Sequence, residues 1–173
     1  MKKVINSILY RIKENTLKKR SGKLKRKVEY KEWKDIKNCL VFWTAHPDQN
    51  LWLDRLPSVL KGIKIEKLCI VPSGTEGQAA DGVIWVRDEE LGFGGKIRNE
   101  GLEQILATSY DLLIDLTVPS TVLGNYILLN VRADFMVGMK KDNSLADIVI
   151  DGPDNPKAFT DQLTEILSAI NKY

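Results

Sequence analysis

Short runs of consecutive apolar residues alternate with helical patterns along most of this chain, and this alternation limits the possible folds more than any other feature. Runs in which almost every residue is apolar are typical of parallel strands that are covered on both faces. Alternation of such strands with helices favours right-handed βαβ crossovers. We therefore predict a single Rossmann-like, three-layer α/β domain with a mainly parallel sheet, whose strands cover residues 38–44, 67–71, 82–86, 111–117, 135–138 and 146–150.

Helical patterns fill most of the intervals between these runs. The first contains Pro57, which is predicted to interrupt it because proline lacks a backbone N–H, and Gly62, which is predicted to end it. Ser120 is the expected N-cap of a later helix. The last helix is predicted to begin with Asn155 as its cap and Pro156 in its first turn.

The net charge of +3 conceals an uneven distribution of charge. Residues 1–28 contain 11 lysines and arginines and a single acid, Glu14, whereas residues 29–173 contain 15 basic and 22 acidic residues. The first segment therefore carries +10 and the second −7. A uniformly basic nucleic-acid binder does not have this pattern, which indicates a basic arm joined to an acidic domain.

The basic arm, residues 1–28, has the spacing of an amphipathic helix. Apolar residues recur in it at i, i+3, i+4 and i+7, namely at Ile5, Ile8, Leu9 and Ile12. We expect this arm to contact an anionic membrane surface, a nucleic acid or a protein partner, or to fold back onto the domain of residues 29–173. The sequence does not select among these targets.

Several classes of protein are excluded by what the sequence lacks. Cys39 and Cys69 lie inside apolar runs without a CxxC spacing, so we predict two buried thiols and no disulfide framework. The single histidine, His46, argues against structural zinc, and no metal or other cofactor is predicted. No run approaches the ~18 apolar residues that span a bilayer. The expected location is the cytoplasm, with peripheral membrane contact through the arm as one option.

Polar residues follow the first predicted strand, at the edge of the sheet where parallel α/β proteins bind ligands. His46 could act there as a base that Asp48 orients. Equally, the sequence from His46 to Asp48 is ordinary loop sequence in which Asp48 caps the following helix. Both interpretations stay open.

Two further places supply candidate ligand-binding residues. Gly94 and Gly95 could bring backbone N–H groups close to a phosphate, although their loop matches neither the dinucleotide fingerprint nor the P-loop, and a plain surface loop is the alternative. Asp115, with Thr117 and Ser120 after it, could bind a ligand hydroxyl or a metal ion. Alternatively, its carboxylate accepts N–H bonds from the turn that follows its strand. No residue is assigned a catalytic role.

The segment from about Gly92 to Ile150 contains four motifs: Gly-Phe-Gly-Gly-Lys, Tyr-Asp-Leu-Leu-Ile-Asp-Leu, Phe-Met-Val-Gly-Met and Ala-Asp-Ile-Val-Ile-Asp. In these motifs it resembles an uncharacterised family of small bacterial α/β proteins found mainly in Bacteroidetes. That family has no established activity, so the resemblance implies a fold rather than a reaction.

A more distant similarity concerns the strand from Tyr110 to Leu116, the helix after it and the strand from Phe135 to Gly138. Their order is similar to that in the amino-terminal half-domain of heptosyltransferase-like glycosyltransferases, which implies binding of a nucleotide or nucleotide sugar. Those enzymes hold the sugar nucleotide with a second Rossmann domain, for which we expect no counterpart here. We therefore expect a non-catalytic binding or accessory domain, with a nucleotide- or nucleotide-sugar-binding enzyme as the alternative.

Overall fold

The computed structural model, which describes Asn15 and residues 26–45, 53–75, 80–92, 96–117, 121–139, 145–151 and 156–170, centres on one β-sheet. Its strands are β1 (Asn38–Thr44), β2 (Lys64–Val71), β3 (Val83–Arg87), β4 (Ser109–Leu116), β5 (Arg132–Met139) and β6 (Ile148–Ile150). They lie in the order β3-β2-β1-β4-β5-β6, and every neighbouring pair is parallel. The predicted α/β fold with a parallel sheet is therefore confirmed.

Helices cover both faces of this sheet. They are α1 (Leu56–Val59), α2 (Glu100–Ala107), α3 (Val122–Asn130) and α4 (Pro156–Ile170). Apolar side chains of α2 and α3 pack on one face, and those of α1 and α4 pack on the other. Side chains along β1 alternate between the two cores: Phe42 faces α2 and α3, whereas Val41 and Trp43 face α1 and α4. Burial on both faces explains why β1 is uniformly apolar.

The strands do not all start where their apolar runs start. β2 begins at Lys64, three residues before the predicted start, and β5 begins at Arg132. Lys64 pairs with Asn38, and Arg132 pairs with Ser109, at the amino ends of their strands. Backbone pairing thus continues into polar sequence, which a pattern of buried side chains does not reveal.

One predicted helix boundary was wrong, and one was confirmed. The helical pattern is interrupted before Pro57, as predicted: Leu53 is helical, Asp54 and Arg55 form a turn, and α1 begins at Leu56 with Pro57 in its first turn, where its missing N–H has no intrahelical partner to lose. The N-cap of α3 is Thr121, whose hydroxyl accepts a hydrogen bond from Gly124 N at 2.9 Å, whereas Ser120 lies outside the described residues. Gly62 has a φ of 85° in the turn after α1, as expected of a residue that ends a helical segment.

Residues 26–37 form a strap across the amino ends of β4, β5 and β6. Lys31 is its main anchor, because Nζ lies 2.5 Å from Asp111 Oδ1 and 2.6 Å from Asp134 Oδ2, on two adjacent strands. Arg26 donates to the carbonyl oxygen of Ala133 at 2.6 Å and forms an ion pair with Asp147. The strap thus attaches the end of the basic arm to the acidic domain.

Asp111 joins the strap to the central strands. Its Oδ2 accepts hydrogen bonds from Lys37 N at 2.7 Å and Asn38 N at 3.1 Å, while its own N–H donates to Asn38 Oδ1 at 2.8 Å. Burial alone would raise the pKa of this carboxyl group, but the bonds from Lys31 and the two backbone N–H groups together hold its pKa below the ordinary value. The hydrogen bonds to Asp111 and then to Asp134 raise the pKa of Lys31.

We expect Asp111→Asn to lower the free energy of unfolding by about 2 kcal/mol at neutral pH, because hydrogen bonds to charged groups contribute about 1.5–3 kcal/mol. The folded-state pKa of Asp111 is depressed. Its contribution is therefore complete above the unfolded-state pKa of about 4 and is lost as the pH falls through the folded-state value. Chemical denaturation as a function of pH should show the gap between wild type and variant closing below about pH 4.

Asp35→Asn is the matched control, since Asp35 lies on the same strap but is exposed. At neutral pH the free energy of unfolding of this variant should stay close to that of wild type. A gap for Asp111→Asn that keeps the same size down to about pH 2.5 would contradict the assignment of the effect to the charged carboxylate.

Candidate functional site

The strand order reverses between β1 and β4, at the centre of the sheet. From β1 the chain proceeds outward to β2 and β3 on one side, and from β4 to β5 and β6 on the other. In open parallel sheets the loops that leave the two strands at such a switch point diverge, and a crevice forms at the carboxyl ends of these strands. The carboxyl edge of β1 and β4 is therefore the candidate ligand site of this sheet.

Three polar side chains lie at this edge, on the sheet face that α2 and α3 cover. They are Thr44 at the end of β1, and Asp115 and Thr117 at the end of β4. Phe42 is the register partner of Asp115, and two residues further along each strand come Thr44 and Thr117. Because side chains alternate along a strand, these residues share the face on which Phe42 lies. We call Thr44, Asp115 and Thr117 the switch-point cluster.

Asp115 is fully buried, and its carboxylate organises the turn after β4. Oδ1 accepts hydrogen bonds from Thr117 N at 2.9 Å and from Thr117 Oγ1 at 2.6 Å. These are the contacts that the turn-fixing interpretation of Asp115 describes. They do not test the other interpretation, in which the same carboxylate also binds a ligand.

Thr44 differs from its neighbours in the cluster. Its Oγ1 is shielded from solvent but has no hydrogen-bond partner in the structure of the described residues. A buried polar atom without a partner costs about 1–3 kcal/mol. A valine would fill the same space without that cost, so the hydroxyl group calls for an explanation other than packing.

Helix α3 begins above the cluster. A Cβ atom on Gly124 would lie 3.0 Å from Thr121 Oγ1 and 3.5 Å from Thr117 Oγ1. The shorter of these distances is to the hydroxyl that caps α3, so glycine leaves room for the N-cap hydrogen bond, whereas a Cβ would meet Thr117 only at an ordinary van der Waals distance. The first backbone N–H groups of a helix are also partial positive charges.

Only one of the six predicted ligand-binding residues lies in the described part of the chain, and it is Asp115. The other five, His46, Asp48, Gly94, Gly95 and Ser120, lie outside it, so their roles stay predictions. The base of the glycine loop is described: Leu91 pairs with Ile97, and Gly92 N donates to Lys96 O at 2.7 Å. This base follows β3, which is separated from β1 by β2.

No pattern in the sequence marks Thr44, Thr121 or Gly124 as part of a site. Thr44 was predicted simply as the last residue of a strand, and β-branched residues are common in strands. Thr121 follows Ser120 directly, and both residue types are good N-caps, so the sequence does not distinguish between them. A threonine that ends an apolar strand at the centre of the sheet is a usable signal only when the strand order is known.

Metal and thiol chemistry gain no support from the described residues. No group of three or more His, Cys, Asp or Glu side chains in them could hold a metal ion. Cys39 and Cys69 are buried, as predicted. Burial raises the pKa of both thiols, that of Cys69 to about 12, so neither is a nucleophile near neutral pH.

No helix in the described part of the chain is long and apolar enough to cross a bilayer.

Comparison with known protein families gives a match over most of the chain. The model of a family of unknown function, DUF6913, matches residues 10–170. No curated protein and no solved structure matches the chain. The distribution among Bacteroidetes and the similarity to glycosyltransferases therefore stay predictions.

We expect Asp115→Ala to lower the free energy of unfolding by about 3 kcal/mol, because the buried N–H and hydroxyl groups of Thr117 both lose their acceptor. Asp115→Asn retains one acceptor oxygen and should lose less than half as much. Urea denaturation of the two variants beside wild type measures the difference. Equal losses for the two variants would show that the hydrogen bonds to Thr117 are not what Asp115 contributes.

Proposed function

We propose that this chain, which belongs to the DUF6913 family of unknown function, is a non-catalytic ligand-binding α/β domain whose ligand lies at the carboxyl ends of β1 and β4. The observation that carries the proposal is the buried Thr44 hydroxyl without a partner among the described residues, at the switch point of the sheet. A bound molecule that exchanges a hydrogen bond with Thr44 would remove the cost of that hydroxyl.

The chemistry of the switch-point cluster favours a hydroxyl-bearing part of the ligand over an anionic part. A phosphate about 5 Å from the Asp115 carboxylate would be repelled by about 3 kcal/mol at an effective dielectric constant of 20. The amino end of α3 attracts an anion by only about 0.3–1 kcal/mol. Repulsion therefore wins, and a neutral polyol such as a ribose or another sugar ring fits this corner better.

A nucleotide- or nucleotide-sugar-binding enzyme is the second candidate, because the strand order β3-β2-β1-β4-β5-β6 is the one that binds dinucleotides at the same crevice. In this proposal the sugar hydroxyl groups lie at the cluster and the phosphates lie further out. We place the enzyme second because the switch-point cluster contains a single titratable side chain, that of Asp115. Its Oδ1 already accepts two hydrogen bonds from Thr117.

The basic arm supports a complementary role, in which it brings the domain to an anionic surface. Residues 1–25 contain nine basic residues and one acid. A basic residue close to an anionic membrane contributes roughly 1 kcal/mol, and salt screens the attraction over about 10 Å. The acidic domain would be repelled by the same surface, so the arm would have to supply the attraction.

We expect Thr44→Val to raise the free energy of unfolding by about 1 kcal/mol in the absence of ligand, since it removes a buried polar atom without a partner. The same variant should lose most of the thermal stabilisation that a ligand produces. The measurement is a thermal-shift titration with nucleosides, nucleotides and nucleotide sugars on wild type and variant.

Thr108→Val is the matched control, because Thr108 lies at the opposite end of β4 and its hydroxyl donates to Gln104 O at 2.9 Å. It should not change ligand-induced stabilisation. If wild type shows no shift with any compound of the panel, the ligand-binding proposal is wrong. If nucleotides stabilise both variants equally, the ligand lies elsewhere.

The arm gives a separate prediction. Lys18→Gln with Lys19→Gln should weaken binding to vesicles that contain phosphatidylserine by at least about tenfold at low salt, because two charges of roughly 1 kcal/mol each are removed. Lys61→Gln with Lys96→Gln removes the same charge from the domain and should have a small effect. Co-sedimentation with vesicles measures both. Equal weakening by the two pairs would show that the arm does not supply the attraction.

A further inference from the structure

We propose that the amino edge of the sheet is the membrane-facing side of this protein, with the strap of residues 26–37 lying against an anionic lipid surface. The proposal rests on the proposed role of the arm, and it adds the surface of the domain that meets the lipid. It follows from where the arm joins the fold and from the side chains that surround that point.

The strap fixes the place where the basic arm leaves the domain. Arg26, the first residue of the strap, is held by Ala133 O and the Asp147 carboxylate at the amino ends of β5 and β6. Residues 1–25 continue from this point and carry nine basic residues. Any surface that attracts the arm is therefore drawn toward the amino edge.

Exposed apolar side chains lie at the same place. In the described part of the chain three large hydrophobic side chains are exposed, and two of them, Val28 at 37% and Tyr30 at 52%, are on the strap. The Tyr30 ring packs on Phe135 with a centroid separation of 5.7 Å, so the rest of the ring faces outward. An aromatic ring with an apolar body and a polar tip is the side chain that lipid interfaces favour.

Exposed lysines lie along the same edge of the sheet. Lys27, Lys34 and Lys64 lie on the strap or at the start of β2, and their side chains are 75–88% exposed. Lys27 and Lys34 pair with the exposed glutamates Glu29 and Glu32, and such exposed pairs are weak, so phosphate headgroups can compete for these two lysines. Apolar side chains among exposed lysines, beside a basic arm, have the chemistry of a peripheral contact with anionic lipid rather than of a base-stacking surface.

The switch-point cluster lies at the edge of the sheet opposite the strap. Strands β1 and β4 separate the amino edge from the carboxyl edge by about 20 Å, at ~3.3 Å per residue. With the strap on the membrane, Thr44 and Asp115 would lie on the side away from the lipid. A ligand would then enter from the aqueous phase.

The test uses the full chain and vesicles of phosphatidylcholine with phosphatidylserine. Ser109→Cys and Ser73→Cys place a fluorescent label at exposed positions near the amino and carboxyl edges, respectively. The native thiols of Cys39 and Cys69 are buried and stay unlabelled. We expect a nitroxide-labelled lipid to quench the label at residue 109 and to leave the label at residue 73 unchanged. Equal quenching, or stronger quenching at residue 73, would overturn the proposal.

A pair of variants supplies a second measurement. Val28→Ser should weaken vesicle binding by about fivefold, whereas Val149→Ser, at the third exposed hydrophobic residue, should leave it unchanged. Thermal unfolding without vesicles confirms that both variants are folded. Identical binding by the two variants would overturn the proposed contact while leaving the role of the arm intact. Binding of RNA by the full chain, with no binding to vesicles, would overturn both.

Discussion

Burial of β1 on both faces is the constraint on which the rest of this structure depends. The strand pairs with β2 on one side and β4 on the other, and its five central residues are buried. No polar side chain can be accommodated along that length without a partner, because a buried polar group that lacks a hydrogen bond is destabilising. Polar chemistry is therefore confined to the two ends of the strand.

The polar groups at the two ends of β1 differ in how they are hydrogen-bonded. At the amino end, Asn38 and Asp111 satisfy each other and the backbone, and Lys31 neutralises the carboxylate. At the carboxyl end, Asp115 and Thr117 satisfy each other. Thr44 is the exception, with no partner for its hydroxyl group among the described residues. Ion pairs and hydrogen bonds thus hold the amino end together, whereas at the carboxyl end the Thr44 hydroxyl has no hydrogen-bond partner among the described residues.

Much of the fold could be predicted from the sequence, because uniformly apolar runs report directly on burial between two layers of helices. The strands whose starts differ most from the prediction, β2 and β5, begin three residues earlier, at polar residues that pair through the backbone with a neighbouring strand. The strap could not be predicted. Lys31 and Asp111 are 80 residues apart, and nothing local marks either as a partner of the other. Asp115 was a candidate because it is an acidic residue inside an apolar strand, which the sequence shows directly. Thr44 was not a candidate, because its place beside Asp115 depends on the pairing of β1 with β4.

The attachment of the strap also bears on how the chain is made. Arg26 binds Asp147 across 121 residues of sequence and Ala133 across 107. During synthesis Arg26 leaves the ribosome 107 residues before Ala133 and 121 residues before Asp147. Domains fold as units once enough of the chain has emerged, at about 5–20 residues per second. For several seconds the nascent chain therefore presents Arg26 without the acidic partner that it binds in the folded domain.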